Sequence, residues 1–224
     1  MRTSSSGSAS MRATRHDPAR VVNQTERRSA SQDYRVGCGD VVVTGDELAR
    51  AVVAAIETRP EALADAVRTR RWAENEWLQK EMAERLSIGR PSRIVQRERP
   101  YPTTQERCDI WVKDHGDRES WLELKCCVTN YVRGSTDATT NRPITQQINE
   151  IIRDIEKLKS LSSDKDRRVV FLAYPLPQNY ESHIHWQRHL ARLGSTGAKV
   201  HEVASSAADS RPKGAFIVVY ECRV

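Results

Sequence analysis

The chain has 224 residues and 25.5 kDa, room for one good-sized domain or two very small ones. Hydrophobic residues make up 38% and charged residues 29%, and no apolar run nears the roughly 20 residues a membrane helix needs, so no membrane partner is expected. The net charge is +6, carried by 28 Arg and 8 Lys against 30 acidic residues, and five cysteines without regular spacing point to a reducing cytoplasm rather than a disulfide scaffold.

Residues 1–44 are rich in Ser, Arg and Ala, with seven basic and four acidic residues and few large apolar ones. They are expected to form a disordered basic N-terminal arm, because so little apolar surface cannot offset the entropy of ordering. Asp40–Val43 is read as a short strand or a hinge into a domain spanning 45–224. Thr44-Gly45-Asp46 is a helix start, and Leu48, Val52, Ala55 and Ile56 follow at helical spacing until Arg59-Pro60. A second helix is predicted over Glu61–Leu86, with Ala73, Trp77, Leu78, Met82 and Leu86 on one stripe. Gly89 and Pro91 end it.

The period then changes from helical to alternating. Strands are predicted over Arg93–Arg99, Cys108–Lys113 and Ser120–Val128, the last two paired as a hairpin. A polar loop follows from Thr129 to Pro143. Thr145 opens a helix carrying Ile148, Ile151, Ile152, Ile155, Leu158 and Leu161, and Arg168–Tyr174 is apolar enough for a buried strand. A helix around Glu181–Leu193 and strands at Lys199–Val203 and Ala215–Cys222 complete an α/β pattern, a mixed central β-sheet flanked by helices.

The residues that carry chemistry are Asp109, Glu123 and Lys125. Alternation in the third strand points Trp121, Glu123, Lys125 and Cys127 one way and Leu122, Leu124 and Cys126 the other. A carboxylate and an ammonium then lie side by side, and hairpin pairing can bring Asp109 close to Glu123. Two converging carboxylates suit a hard divalent cation such as Mg²⁺. A neighbouring Lys can position or deprotonate a water, or neutralise charge on a pentavalent phosphate. This is equipment for metal-assisted phosphodiester hydrolysis.

Asp109, thirteen intervening residues, then Glu123-Leu124-Lys125 resembles the motif of the PD-(D/E)xK nuclease superfamily, with a motif core of about residues 70–175. The resemblance implies a restriction-endonuclease-like fold and a Mg²⁺-dependent DNA endonuclease in which Mn²⁺ can substitute, acting in phage (antiviral) defence, restriction or repair. It implies that Asp109 and Glu123 ligate the metal together with the backbone carbonyl of Leu124. Lys125 then orients the attacking water and stabilises the transition state. Many members add a Glu from the preceding helix, for which Glu74 fits best, with Glu76 and Glu81 as competitors. Gln146 and Gln147 resemble a Gln near the site in some members, and fit equally well as polar residues opening a helix. Relatives often act as dimers, so a homodimer is expected, and the lack of a separate reading domain points to structure recognition or a targeting protein partner. The position before Asp109 is Cys108, where the family often has Pro.

Arg97, Arg99 and Arg107, in a stretch with six Arg from Arg85 to Arg107, are candidates for DNA contact, as are Tyr131 and Arg133. The plainer readings are also specific. Glu123 and Lys125 would be a solvent-facing ion pair, Asp154 and Lys157 a surface pair on their helix, and Trp111 a core residue. Cys126 and Cys127 read as small buried hydrophobes, and His183 and His185 lack a third metal ligand. The rival functions are a catalytically inactive nuclease-fold module that binds nucleic acid or assembles with a partner, and an unrelated interaction protein.

Overall fold

The computed structural model describes residues 42–59, 76–114, 117–129, 131, 144–207 and 216–224. Residues 1–41 of the predicted arm, residues 60–75 with Glu74, and most of the 129–143 loop with Arg133 lie outside the described residues. The chain divides between Gly37 and Cys38, and every described residue belongs to the second unit.

The described elements are α1 (Gly45–Thr58), α2 (Glu76–Ser87), β1 (Ile94–Pro100), β2 (Arg107–Lys113), β3 (Glu119–Val128), α3 (Ile144–Lys159), β4 (Asp166–Leu176), α4 (Ile184–Gly194), β5 (Lys199–Ala207) and β6 (Phe216–Arg223). The protein is α/β, with a six-stranded mixed sheet in the order β1-β2-β3-β4-β6-β5. β1, β2 and β3 form an antiparallel meander, β3 and β4 run parallel across the α3 connection, and β6 lies antiparallel between β4 and β5. The central position of β4 explains its composition. Val169, Val170, Phe171, Leu172, Ala173 and Tyr174 are all buried, because both faces of that strand are covered.

The two faces carry separate cores. One packs α1 and α2 on Ile110, Val112, Leu122, Leu124, Cys126, Val170, Leu172 and Val219. The other packs α3 and α4 on Trp111, Trp121, Cys127, Val169, Phe171, Val218 and Tyr220. The alternation read in β3 is therefore present, with both faces covered rather than one. α1 begins where the sequence indicates: the Thr44 hydroxyl accepts from the Glu47 N–H (3.1 Å), and Glu47 Oε2 accepts from the Thr44 N–H (3.0 Å). This capping box satisfies amides that an α-helix leaves open at its start. In α3, Ile148, Ile151, Ile155 and Leu158 are buried on one stripe, each worth roughly 1.5–3 kcal/mol relative to exposure.

Several expectations need correction. Val42 and Val43 are buried in a bend, not a strand, and pack under α1. Of the second helix expected over Glu61–Leu86, Glu76–Ser87 is helical, and residues 61–75 lie outside the described residues. The helix expected from Glu181 begins instead as a 3₁₀ turn (Tyr180–Ser182), and His183 then caps α4 by accepting from the Trp186 N–H (3.4 Å). β5 runs to Ala207 rather than stopping at Val203, because β6 continues to pair with it as far as Phe216.

Candidate functional site

The site lies where the meander ladder breaks. β2 and β3 pair from Lys113↔Glu119 to Ile110↔Leu122, and the pairing stops before Asp109. In the neighbouring pair, Glu98 has φ +53, a left-handed backbone that a non-glycine residue adopts only at a cost. The face alternation changes across this level. Val95, Arg97 and Ile110 belong to the α2 side, whereas Cys108 packs in the α3-side core and Arg99 lies over Trp111 of that same core. The open strand groups are met by side chains. The Leu124 N–H donates to Asp109 Oδ2 (2.6 Å), and the Cys108 thiol sits 3.1 Å from the Leu122 carbonyl oxygen.

Asp109 is thereby locked to the backbone of the motif it was expected to join. Its other oxygen accepts from Gln79 Nε2 of α2 (2.7 Å). Asp109 and Glu123 lie close enough for the charge state of each to act on the other. Glu123, only 2% exposed, accepts at Oε1 from the Tyr101 hydroxyl (2.5 Å) and has Lys157 Nζ at 3.5 Å. Lys125 Nζ is 3.0 Å from Asp154 Oδ2, and Lys157 Nζ is 2.7 Å from Asp154 Oδ1. Three carboxylates, two lysines and a tyrosine thus form one connected group.

The electrostatics follow from burial. Desolvation raises the Glu123 carboxyl to about 8, with the charges of Asp109 and Asp154 pushing the same way. Burial also raises Asp109, against the opposing pull of the Leu124 N–H and Lys125. Burial would lower the Lys125 ammonium, but the charges of Asp154 and Asp109 outweigh it and hold it above its usual value. Tyr101 is pushed far up, first by burial, so its hydroxyl keeps the proton it donates to Glu123. Burial likewise raises the thiols of Cys126 and Cys127, the latter to about 12, which leaves them as small core residues.

A cleft of about 720 Å³ opens beside this group, with Tyr101, Lys125, Asp154 and Lys157 in its wall. Its rim carries Glu106, Glu150 and Glu156 beside Arg153. An aromatic chain leads away from it: Tyr101 stacks on Trp121 (5.4 Å), Trp121 meets Trp111 edge-on (6.4 Å), and the Arg99 guanidinium covers Trp111 at 4.4 Å.

The other expected site residues are distributed differently. Arg97 points to α2, donating to the Glu76 carbonyl (3.3 Å), and Arg107 donates to the Glu98 carbonyl (3.1 Å). Tyr131 packs on His183 (4.4 Å) and Trp186, away from the cleft lining. Gln146 is exposed. Its neighbour Gln147 clamps both polar groups of the Val128 peptide, at 2.7 and 2.8 Å. Glu76 is 83% exposed at its side chain and Glu81 pairs with Arg85, so the described part of α2 offers Asp109 an amide, Gln79, and no acid. The Leu124 side chain is buried in the opposite core, and its peptide meets Asp109 through the N–H.

Asp154 and Lys157 overturn the reading of a surface pair, since Asp154 is 4% exposed. Its position was legible: it lies three residues after Ile151 and four before Leu158, on the buried stripe. Tyr101 and Gln79 gave no such signal, because a loop residue and a helix residue meet the site only through long-range pairing.

Among the described residues, no group of three or more His, Cys, Asp or Glu side chains could by itself hold a metal ion. The Asp109–Glu123 pair nevertheless has the donor chemistry of a hard cation site. It offers only oxygen, it is desolvated, and its mutual repulsion is relieved by positive charge. Water would complete the shell of an ion such as Mg²⁺. Comparisons of the chain with models of known protein families, with characterised proteins and with solved structures found no match. Among the described residues, no helix is long and apolar enough to cross a membrane.

Proposed function

We propose that the chain is a metal-dependent endonuclease of restriction-endonuclease-like architecture that hydrolyses phosphodiester bonds in DNA. The observation that carries this reading is the placement of half-buried Asp109 and buried Glu123 at the break in the ladder, close enough for each charge to act on the other, with Lys125 held beside them by Asp154. The order α2, antiparallel meander, α3 and parallel β4 supports the architecture. The choice of DNA, and a role in defence, restriction or repair, rests on the motif's resemblance.

Asp109 and Glu123 would hold Mg²⁺ or Mn²⁺, which supplies an acidified water and neutralises charge on the phosphoryl oxygens. The chain's own residues do the rest. The Leu124 N–H and Gln79 fix both oxygens of Asp109, and Tyr101 fixes Glu123, so the carboxylates are oriented in advance. Lys125 stays an ammonium because Asp154 holds it charged. It therefore acts as a positive clamp on a phosphate oxygen and not as a base that strips a proton from water. Arg99 over Trp111, on the same sheet face, is suited to grip the backbone beyond the scissile bond.

A second reading has its own support. The carboxylate oxygens already accept from Gln79, Leu124, Tyr101 and Lys157, and the cleft rim is partly acidic. Those features suit a nuclease fold used for binding or assembly. Thermal unfolding with and without 10 mM Mg²⁺ or Mn²⁺ separates the two, because a ligand bound only by the folded state raises the midpoint. Wild type is expected to rise by several degrees and Asp109→Asn by less than one. An equal response from both would remove Asp109 from the site, and no response from either would favour the binding module.

A further inference from the structure

Lys157 stands among three carboxylates. Its ammonium is 2.7 Å from Asp154, 3.5 Å from Glu123 and 3.7 Å from Glu106, the last at the mouth of the cleft. Lys125 already occupies the other oxygen of Asp154, so Lys157 is the ammonium in direct reach of Glu123. Its side chain is 29% exposed and tethered by four carbons to an α3 position lining the cleft. It can therefore leave Glu123 for water, or for Glu106, without any movement of the backbone.

We propose that Lys157 is a tethered placeholder cation, which stands against Glu123 in the place of a divalent ion until such an ion displaces it into the cleft. This inference rests on the reading of Asp109 and Glu123 as the metal pair. Its physical basis is competition: a buried carboxylate needs a positive neighbour, and a mobile ammonium and a divalent ion cannot both sit against the same oxygen. Metal affinity is then set below what the carboxylates alone would give. A polyanion in the cleft, by attracting the released ammonium, favours metal loading, and by linkage the metal favours the polyanion. The same side chain thus keeps the site intact when empty and couples the two ligands when it fills.

The test is Mn²⁺ binding to the purified full chain by calorimetry, comparing wild type, Lys157→Gln and Lys157→Arg. Removing the competitor is expected to tighten Mn²⁺ binding on the order of tenfold in Lys157→Gln. Lys157→Arg, which retains the charge, should stay near wild type. Unchanged or weaker binding by Lys157→Gln, with wild type binding normally, overturns the placeholder role. Equal tightening in both variants also overturns it, since charge would not be the cause. Failure of wild type to bind Mn²⁺ at all removes the metal pair itself, and the inference with it. Circular dichroism of each variant verifies that the compared proteins are folded.

Discussion

Glu123→Gln is expected to make the protein more stable in alkali while abolishing its response to divalent cations. Burial, then the charges of Asp109 and Asp154, raise this carboxyl from 4.5 to about 8. The folded state therefore binds the proton more tightly than the unfolded chain does. Stability is greatest below about 4.5, falls as pH rises through about 8, and carries the full cost of the buried charge above that. The span corresponds to roughly 5 kcal/mol at most, of which relaxation of the site leaves about 2 kcal/mol. Glutamine keeps the oxygen that accepts from Tyr101 and adds an amide that can donate to Asp109. Urea unfolding of both proteins at pH 5 and pH 9 checks the sign. The variant should gain about 2 kcal/mol over wild type at pH 9, and the advantage should disappear at pH 5. A constant difference across that range would mean that Glu123 carries no unusual charge cost.

Arg168→Met has the larger effect on folding. Arg168 is fully buried in β4, with Nη1 2.6 Å from Glu221 Oε1 of β6 and Nε 2.8 Å from Asp166 Oδ1. Glu221 is itself 1% exposed, and among the described residues its other ion-pair partner is Arg223 at 3.1 Å. Removing the guanidinium leaves a buried carboxylate half-compensated on the neighbouring strand β6, a loss of about 3 kcal/mol. For a protein of this size the melting temperature should fall by roughly 6–12 °C. The cost comes from the stranded charge, so Arg168→Met combined with Glu221→Leu should regain most of the loss. A double variant as unstable as the single one would assign the cost to lost packing.

The features legible in the sequence are those governed by local period. β3 was readable because Leu122, Leu124 and Cys126 alternate with Trp121, Glu123 and Lys125, and α3 because its isoleucines recur at 3–4 residue spacing. The same period contained Asp154. Its charge beside a lysine reads as a surface pair, although the stripe on either side of it is buried. The break in the ladder at Asp109 was not legible. Whether two strands continue to pair depends on register, which arises from contacts between distant residues. That break decides which side chains meet Asp109, so Gln79 and the Leu124 N–H could not be anticipated. Tyr101, in a loop between strands, carries no local pattern that assigns it a partner. Its place on Glu123 follows from the stack on Trp121, a contact across the meander.

In the proposed function, Asp109, Glu123 and Lys125 together hydrolyse phosphodiester bonds. The most direct measurement incubates wild type and Lys125→Ala with supercoiled plasmid, linear duplex and single-stranded DNA in Mg²⁺ or Mn²⁺. Lys125 is partly exposed, and its loss leaves Asp154 still paired with Lys157, so the variant should remain folded. Wild type is expected to nick or cut at least one of the substrates only when the metal is present, and the variant to be slower by at least a hundredfold. Cutting at equal rates by both proteins, or no cutting of any substrate by a wild type that binds metal, would contradict the account.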